Sequence, residues 1–398
     1  MVIASDYEFE MENYMSFEEF DKFKKFSIDK QTPFVMIDLD IVAKKYDDLS
    51  KAMPQSDIYY AVKANPEIEV LKLLADKGSF FDVATIYEID RVLELGVDPS
   101  RLSFGNTIKK ARDIAYAYSK GVRLFSTDCE SDVRKIAENA PESRVFCRII
   151  AEGIGASWPL SRKFGCYPDM AIEVLTLAHQ LGLKACGVSF HVGSQQYYIS
   201  QWREALWDVK IVFDGTAERG IKLDFVNLGG GFPVRYNHPI PETIAYGAEI
   251  MEYMVEVFGD DIPKTIIEPG RYMTGDSGIL VTEVVQISKK EAGGGRSWMY
   301  VDTGKFGGLI ETLDECIRYP IYSERTGKMI PYIIAGPTCD SADIMYEKAP
   351  YMLPEAIHEG DRLYFFTTGA YTTTYSSVYF NGFPPLETYI LQKCKESQ

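Results

Sequence analysis

From Asp57 onward, short runs rich in β-branched and aromatic residues alternate with stretches whose apolar positions recur at helical spacing. The strand-like runs fall at 57–62, 79–84, 101–105, 123–126, 144–150, 185–191, 224–228 and 264–268. Helical period fills 67–77, 108–120, 170–181, 202–219 and 241–258. Eight strands alternating with helices predict an α/β fold of the closed (β/α)8 type. A doubly wound sheet fits less well, because the count stops at eight.

The flanks have a different texture. Phe17, Phe20, Phe23 and Phe26 are spaced three apart, which predicts a short amphipathic helix. Residues 33–39 read as a strand, with Asp40 placed to cap the helix that follows. After Asp276 helical period disappears, and strands are predicted at 278–288, 297–301, 331–334, 362–367, 376–380 and 387–391, joined by Gly- and Pro-containing turns. The organisation expected is a barrel over 33–276 inserted into one discontinuous, mostly-β domain made of 1–32 and 277–398.

Composition narrows the function classes. The 398 residues carry a net charge of −16, which disfavours nucleic acid and anionic membrane as partners. The seven cysteines (129, 147, 166, 186, 316, 339 and 394) form no Cys-x-x-Cys pair, and the four histidines are scattered, so no metal site is expected. Reduced thiols and a cytoplasmic location follow as expectations. The charged N-terminal stretch has no leader-like apolar run, and no apolar run approaches about 18 residues, the length that spans a membrane.

The polar residues that could carry chemistry collect just after the strands, where a barrel builds its site: Lys63, Asn106, His191 to Ser194, Gly229 to Gly231, and Glu268 to Arg271. Lys63 follows a strand between Val62 and Ala64. It is either a snorkelling rim residue or an amine in a partly dry site, where a Schiff base could form. The three glycines present bare amides that could approach a phosphate, or they form a flexible turn; Arg271 would add a charged partner. Glu268 closes an apolar run and could hold a protonated ring nitrogen or pair with Arg148. His191 could stack on a flat ring or satisfy a structural hydrogen bond. A lysine, a glycine loop, an arginine, a carboxylate and a histidine on one rim together match the needs of pyridoxal 5'-phosphate.

The motifs YYAVKANP (59–66), FDVAT with Glu88, FGNT (104–107), KFG (163–165), SFHVGSQ (189–195), NLGGGFP (227–233), EPGRYM (268–273), GPTCDSAD (336–343), GAYT (369–372) and FNGF (380–383) occur in this order. In them the sequence resembles the fold-type III pyridoxal-phosphate decarboxylases, the family of ornithine decarboxylase, which share their barrel with alanine racemase. The resemblance runs from about Thr32 to Leu391. It implies that Lys63 carries the cofactor as a Schiff base, that His191 stacks on its ring and that Glu268 pairs with the ring nitrogen. Ser194, Gly230, Gly231, Gly270, Arg271 and Tyr371 would hold the phosphate, and Asp82 and Arg148 would support the ring environment.

It further implies a homodimer in which Cys339 and Asp340 reach into the partner's site, Cys339 to protonate Cα after CO2 leaves and Asp340 to hold the substrate's distal cation. Asp314-Glu315 stands where the family's distal-amine segment often reads tyrosine-aspartate, so either acid could serve. Met273 and Thr85 are further departures, where tyrosine and serine are common. The insert at 156–159 is left unassigned. The activity implied is decarboxylation of L-ornithine to putrescine, a step of polyamine biosynthesis, or of L-lysine to cadaverine. An amino-acid racemase and a catalytically dead regulatory homologue are the alternatives.

Overall fold

The computed structural model describes residues 9–158, 163–292 and 294–392. Two compact units are present: one comprises the chain up to Ile41, Val234–Pro239 and everything from Thr274, the other Val42–Pro233 and Ile240–Met273.

The second unit is the barrel. Its strands are Ser56–Ala61, Phe80–Val83, Leu102–Phe104, Leu124–Thr127, Arg144–Arg148, Lys184–Ser189, Phe225–Asn227 and Lys264–Ile267. All pair in parallel and in chain order, and the eighth closes on the first through Thr265 opposite Ser56. All eight predicted strands are found, each within three residues of its predicted ends. Side chains fill the interior: Tyr59, Leu124, Phe146, Cys186, Phe225 and Ile266, from six different strands, make one buried cluster. The segments after the strands then present polar residues at a single end.

The first unit is mostly β. An eight-stranded sheet is built around the long strand Gly278–Glu291. A register shift between Val284 and Gln286 divides this strand. Its first half pairs with Phe34–Asp38 and Arg362–Phe366, its second with Gly294–Val301. The predicted amphipathic helix is Phe17–Ser27, begun by a Ser16/Glu19 capping box. Its Phe20 and Phe23 are buried against Phe34, Met36, Ile279, Val281, Tyr364 and Phe366, while Phe17 is exposed.

Several expectations are corrected. Phe34–Asp38, placed by sequence at the start of the barrel, lies in the β sheet between Gly278–Glu291 and Glu387–Leu391. An apolar run does not say which sheet it joins. The helix after it begins at Leu39, so Asp38 rather than Asp40 is the capping acid, its Oδ1 accepting the Asp40 N–H at 2.8 Å. Residues 376–380 form no strand: Tyr379 and Asn381 take left-handed backbone, and only Ser376 bridges, to Gly307. The strands Ile321–Ser323 and Ile344–Pro354 were not predicted. The insert resolves in part: Ala156–Trp158 pairs antiparallel with Ser194–Gln196, Trp158 opposite Ser194. Pro159 and Cys394 lie outside the described residues.

Candidate active site

Lys63 sits in a single 3-10 turn directly after the first barrel strand. Val62 and Ala64 are buried on either side, which leaves its own side chain 50% exposed at the barrel mouth. Its Nζ lies 3.2 Å from Oδ2 of Asp82, at the end of the second strand. Asp82 is 4% exposed, and its other oxygen, Oδ1, is buried with no hydrogen-bond partner among the described residues. The neighbouring third strand runs into Gly105 for a steric reason: any Cβ there would collide with the Asp82 carboxylate. The loop after the second strand is tied by Glu88, whose Oε2 accepts the Ala84 N–H at 2.6 Å. Thr85 caps the following helix through its hydroxyl, a duty threonine performs as serine would.

Glu268 follows the eighth strand. Burial, and then the Asp82 charge, push its carboxyl up to about 7, against the pull of Lys63, a hydrogen bond from Asn227, and Arg148. Arg148, at the end of the fifth strand, is itself lowered by burial. No Arg148–Glu268 ion pair forms within 4.0 Å among the described residues; the guanidinium lies over the Phe164 ring, 5.0 Å from its centroid, and its charge reaches Glu268 only from a distance.

His191 follows the sixth strand. Its Nδ1 accepts the Gly193 N–H at 3.0 Å, which leaves the neutral ring protonated on Nε2. Burial, reinforced by the Arg148 and Lys63 charges, pushes its pKa well below the ordinary histidine value. The glycine loop follows the seventh strand, with Gly229 and Gly231 at positive φ (69° and 104°). A Cβ on Gly230 would lie 2.6 Å from the Glu268 carbonyl oxygen and 3.2 Å from His191 Nε2. Glycine is therefore required at 230 for packing as well as for bare backbone. Arg271, buried two residues beyond the eighth strand's Glu268-Pro269 and directly after Gly270, donates Nε–H to Ser194 Oγ at 3.0 Å.

Two polar residues act on the loops of the barrel mouth. Asn106 turns its side chain onto the loop itself, donating to the Ala84 carbonyl at 3.3 Å and accepting the Ile108 N–H at 3.0 Å. Asn227 joins Glu268 to the Gly229 amide. Its only sequence signal was its position before three glycines.

In the mostly-β unit the GPTCDSAD loop is built on Asp343. That buried carboxylate accepts from Lys305 N–H at 2.8 Å and from the Thr338 hydroxyl at 2.7 Å, and Gly304 and Gly336 leave the space it fills. Cys339 and Asp340 are exposed on the loop. The Cys339 N–H donates to Asn381 at 2.7 Å, and Asp340 Oδ1 accepts the Ala342 N–H at 2.8 Å. Tyr371 takes φ 57° and lies against Tyr375, 5.8 Å between ring centroids. Glu315 and Asp314 part company. Glu315 is 13% exposed and accepts backbone N–H groups of Glu347, Lys348 and Ala349 at 2.8, 2.5 and 3.2 Å. Asp314 is 76% exposed and pairs with Lys348 at 3.2 Å.

The barrel mouth fits pyridoxal phosphate on its own geometry. It offers an accessible amine, a buried carboxylate oxygen without a partner among the described residues, a carboxylate beside the strand ends, and a glycine loop that side chains cannot enter. That combination defines a pyridoxal-phosphate-binding barrel. Residues 39–275 match the model of the pyridoxal-dependent decarboxylases, pyridoxal binding domain, and the chain belongs to that family. The lysine/ornithine decarboxylase of Selenomonas ruminantium is 35% identical over 362 residues, 91% of this chain and 90% of that protein. The solved structure of the S. ruminantium lysine decarboxylase with pyridoxal phosphate and cadaverine superposes with a TM-score of 0.84 at 33% identity, covering 95% of this chain and 94% of that one. A lysine/ornithine decarboxylase from Vibrio vulnificus complexed with putrescine gives 0.84 at 29% identity, covering 95% and 99%. The cofactor is pyridoxal phosphate. Among the described residues no helix is long and apolar enough to cross a membrane, and no cluster of three or more ligating side chains could hold a metal ion.

Proposed function

We propose that the chain decarboxylates a basic L-amino acid, with ornithine to putrescine as the principal reaction and lysine to cadaverine as the second. The observation that carries the reading is the Lys63–Asp82 pair at the barrel mouth, 3.2 Å apart, with Glu268 and the glycine loop on the neighbouring strand ends. Bound pyridoxal phosphate supplies the sink for the electrons released when the bond from Cα to the carboxylate breaks.

The chain's residues supply the rest. Lys63 would hold the cofactor through its amine. Glu268 would pair with the ring nitrogen, and the neutral His191 imidazole would stack on the ring. Gly230, Gly231, Gly270, Ser194, Arg271 and Tyr371 fix the phosphate, while Asp82 and Arg148 set the charge around the ring. Cys339 delivers its thiol proton to Cα, and Asp340 and Asp314 receive the distal ammonium. Cys339 and Asp340 reach the site of the partner subunit, so the active form is a homodimer. The carboxylate of Glu315 is engaged by three backbone N–H groups, which favours Asp314 as the distal acid.

Ornithine and lysine differ by one methylene, worth about 1–3 kcal/mol in a pocket, so both turn over. The test is CO2 release from ornithine, lysine, arginine and diaminopimelate at equal subsaturating concentration. Ornithine ahead by about tenfold supports the assignment. Lysine equal or ahead makes lysine the principal substrate, and no CO2 from any of the four removes the decarboxylase reading.

A further inference from the structure

Asn227 ends the seventh barrel strand, and its buried side chain touches both halves of the site. Its Oδ1 accepts the N–H of Gly229, first residue of the glycine loop, at 2.9 Å, and its Nδ2 donates to Glu268 Oε1. A backbone N–H can only donate. The amide orientation is therefore fixed, with oxygen to the loop and NH2 to the carboxylate. The strand register explains the reach: Asn227 stands opposite Ile266, two residues before Glu268, on the adjacent strand. The backbones are also linked, Glu268 N–H donating to the Gly229 carbonyl at 2.8 Å.

We propose that Asn227 is a positioning residue that ties the glycine loop to Glu268 and keeps the Glu268 carboxylate ionised toward the ring nitrogen of the bound cofactor.

The groups around Glu268 make such a donor necessary. Burial and Asp82 both oppose its ionisation; Lys63, Asn227 and Arg148 favour it. The Tyr59 phenol, on the first strand, lies within the same field and is kept neutral by its own burial. Of these, Asn227 alone donates a hydrogen bond to the Glu268 carboxylate among the described residues. An aspartate at 227 could still accept the Gly229 N–H, but it would offer no donor and would bring a second carboxyl against the first. An alanine would lose both contacts. The two substitutions therefore separate the two duties.

The inference rests on the cofactor site and not on the choice of substrate. The test uses cofactor-loaded wild type, N227D, N227A, E268Q and the N227D/E268Q double variant. Each is titrated while the visible band of the bound cofactor is recorded, alongside kcat, KM and cofactor affinity. In N227D the acid-side transition of the band and of kcat moves up by about one pH unit, with cofactor affinity within about threefold of wild type. In N227A the transition moves likewise and affinity falls by about tenfold or more. The double variant shows no displacement beyond E268Q. A transition in N227D that stays at the wild-type pH, or that moves equally in the E268Q background, overturns the proposal. Wild type that takes up no cofactor would remove the cofactor site and this inference together, whereas an unmoved transition in loaded N227D removes this inference alone.

Discussion

The Lys63 ammonium lies 3.2 Å from one oxygen of the Asp82 carboxylate, and the other oxygen of that carboxylate is buried with no hydrogen-bond partner among the described residues. Asp82 also raises the Glu268 carboxyl. Replacing it with asparagine keeps the shape that Gly105 accommodates and removes the charge. D82N is expected to move the Glu268 titration, and with it the acid limb of the pH profile, down from about 7. A pH profile of D82N whose acid limb coincides with wild type would contradict this coupling.

The raised Glu268 carboxyl has a consequence for stability without cofactor. Its folded pKa, about 7, stands above the unfolded 4.5. Its stabilising contribution is therefore fully present below about 4.5 and is lost as pH rises through about 7. His191 is depressed from 6.5, so its contribution is present above that value and is lost as pH falls through the lower folded pKa. The difference in Tm between cofactor-free wild type and E268Q isolates the first effect. E268Q should gain on wild type as pH rises across the window; parallel curves would refute the shift.

Gly230 is closed to any side chain by the Glu268 carbonyl and His191 Nε2. In G230A the loop must move away from both groups. Cofactor affinity is expected to fall by about tenfold or more, equivalent to about 1.4 kcal/mol, and the melting temperature to fall as well, because the contact is with backbone. Equilibrium dialysis of pyridoxal phosphate against G230A measures it.

Asp314 and Glu315 are neighbours with opposite exposure. E315Q weakens the grip on three backbone N–H groups of the strand Ile344–Pro354 and should cost about 1–3 kcal/mol in chemical denaturation. D314N should leave stability unchanged and raise KM for ornithine by about tenfold, with kcat within a factor of a few. The reverse pattern would make Glu315 the distal acid.

The barrel and its rim were legible because they rest on local signals. Eight short apolar runs, each followed by polar residues, mark strand ends, and Lys63, His191, Gly229 and Glu268 all stand just beyond one. What was missed depends on pairing over long separations. Phe34–Asp38 has the apolar pattern of any buried strand, and only its partners at Gly278–Glu291 and Glu387–Leu391 assign it to the second sheet. Pro350 stands in the irregular stretch between Tyr346 and Tyr351, and it concealed Ile344–Pro354. Asn227 resembles a turn residue in sequence, and its role appears only when the register sets it beside Glu268. Glu315 looked like a candidate ligand because its three N–H partners lie some thirty residues away in sequence.

The central claim is tested most directly by running the reaction with L-ornithine in D2O and following substrate and product by NMR. The account predicts one CO2 per diamine formed, one deuterium at the former Cα of putrescine, and loss of both signals in K63A. Deuterium at Cα of recovered ornithine with no CO2 released would show a racemase and contradict it.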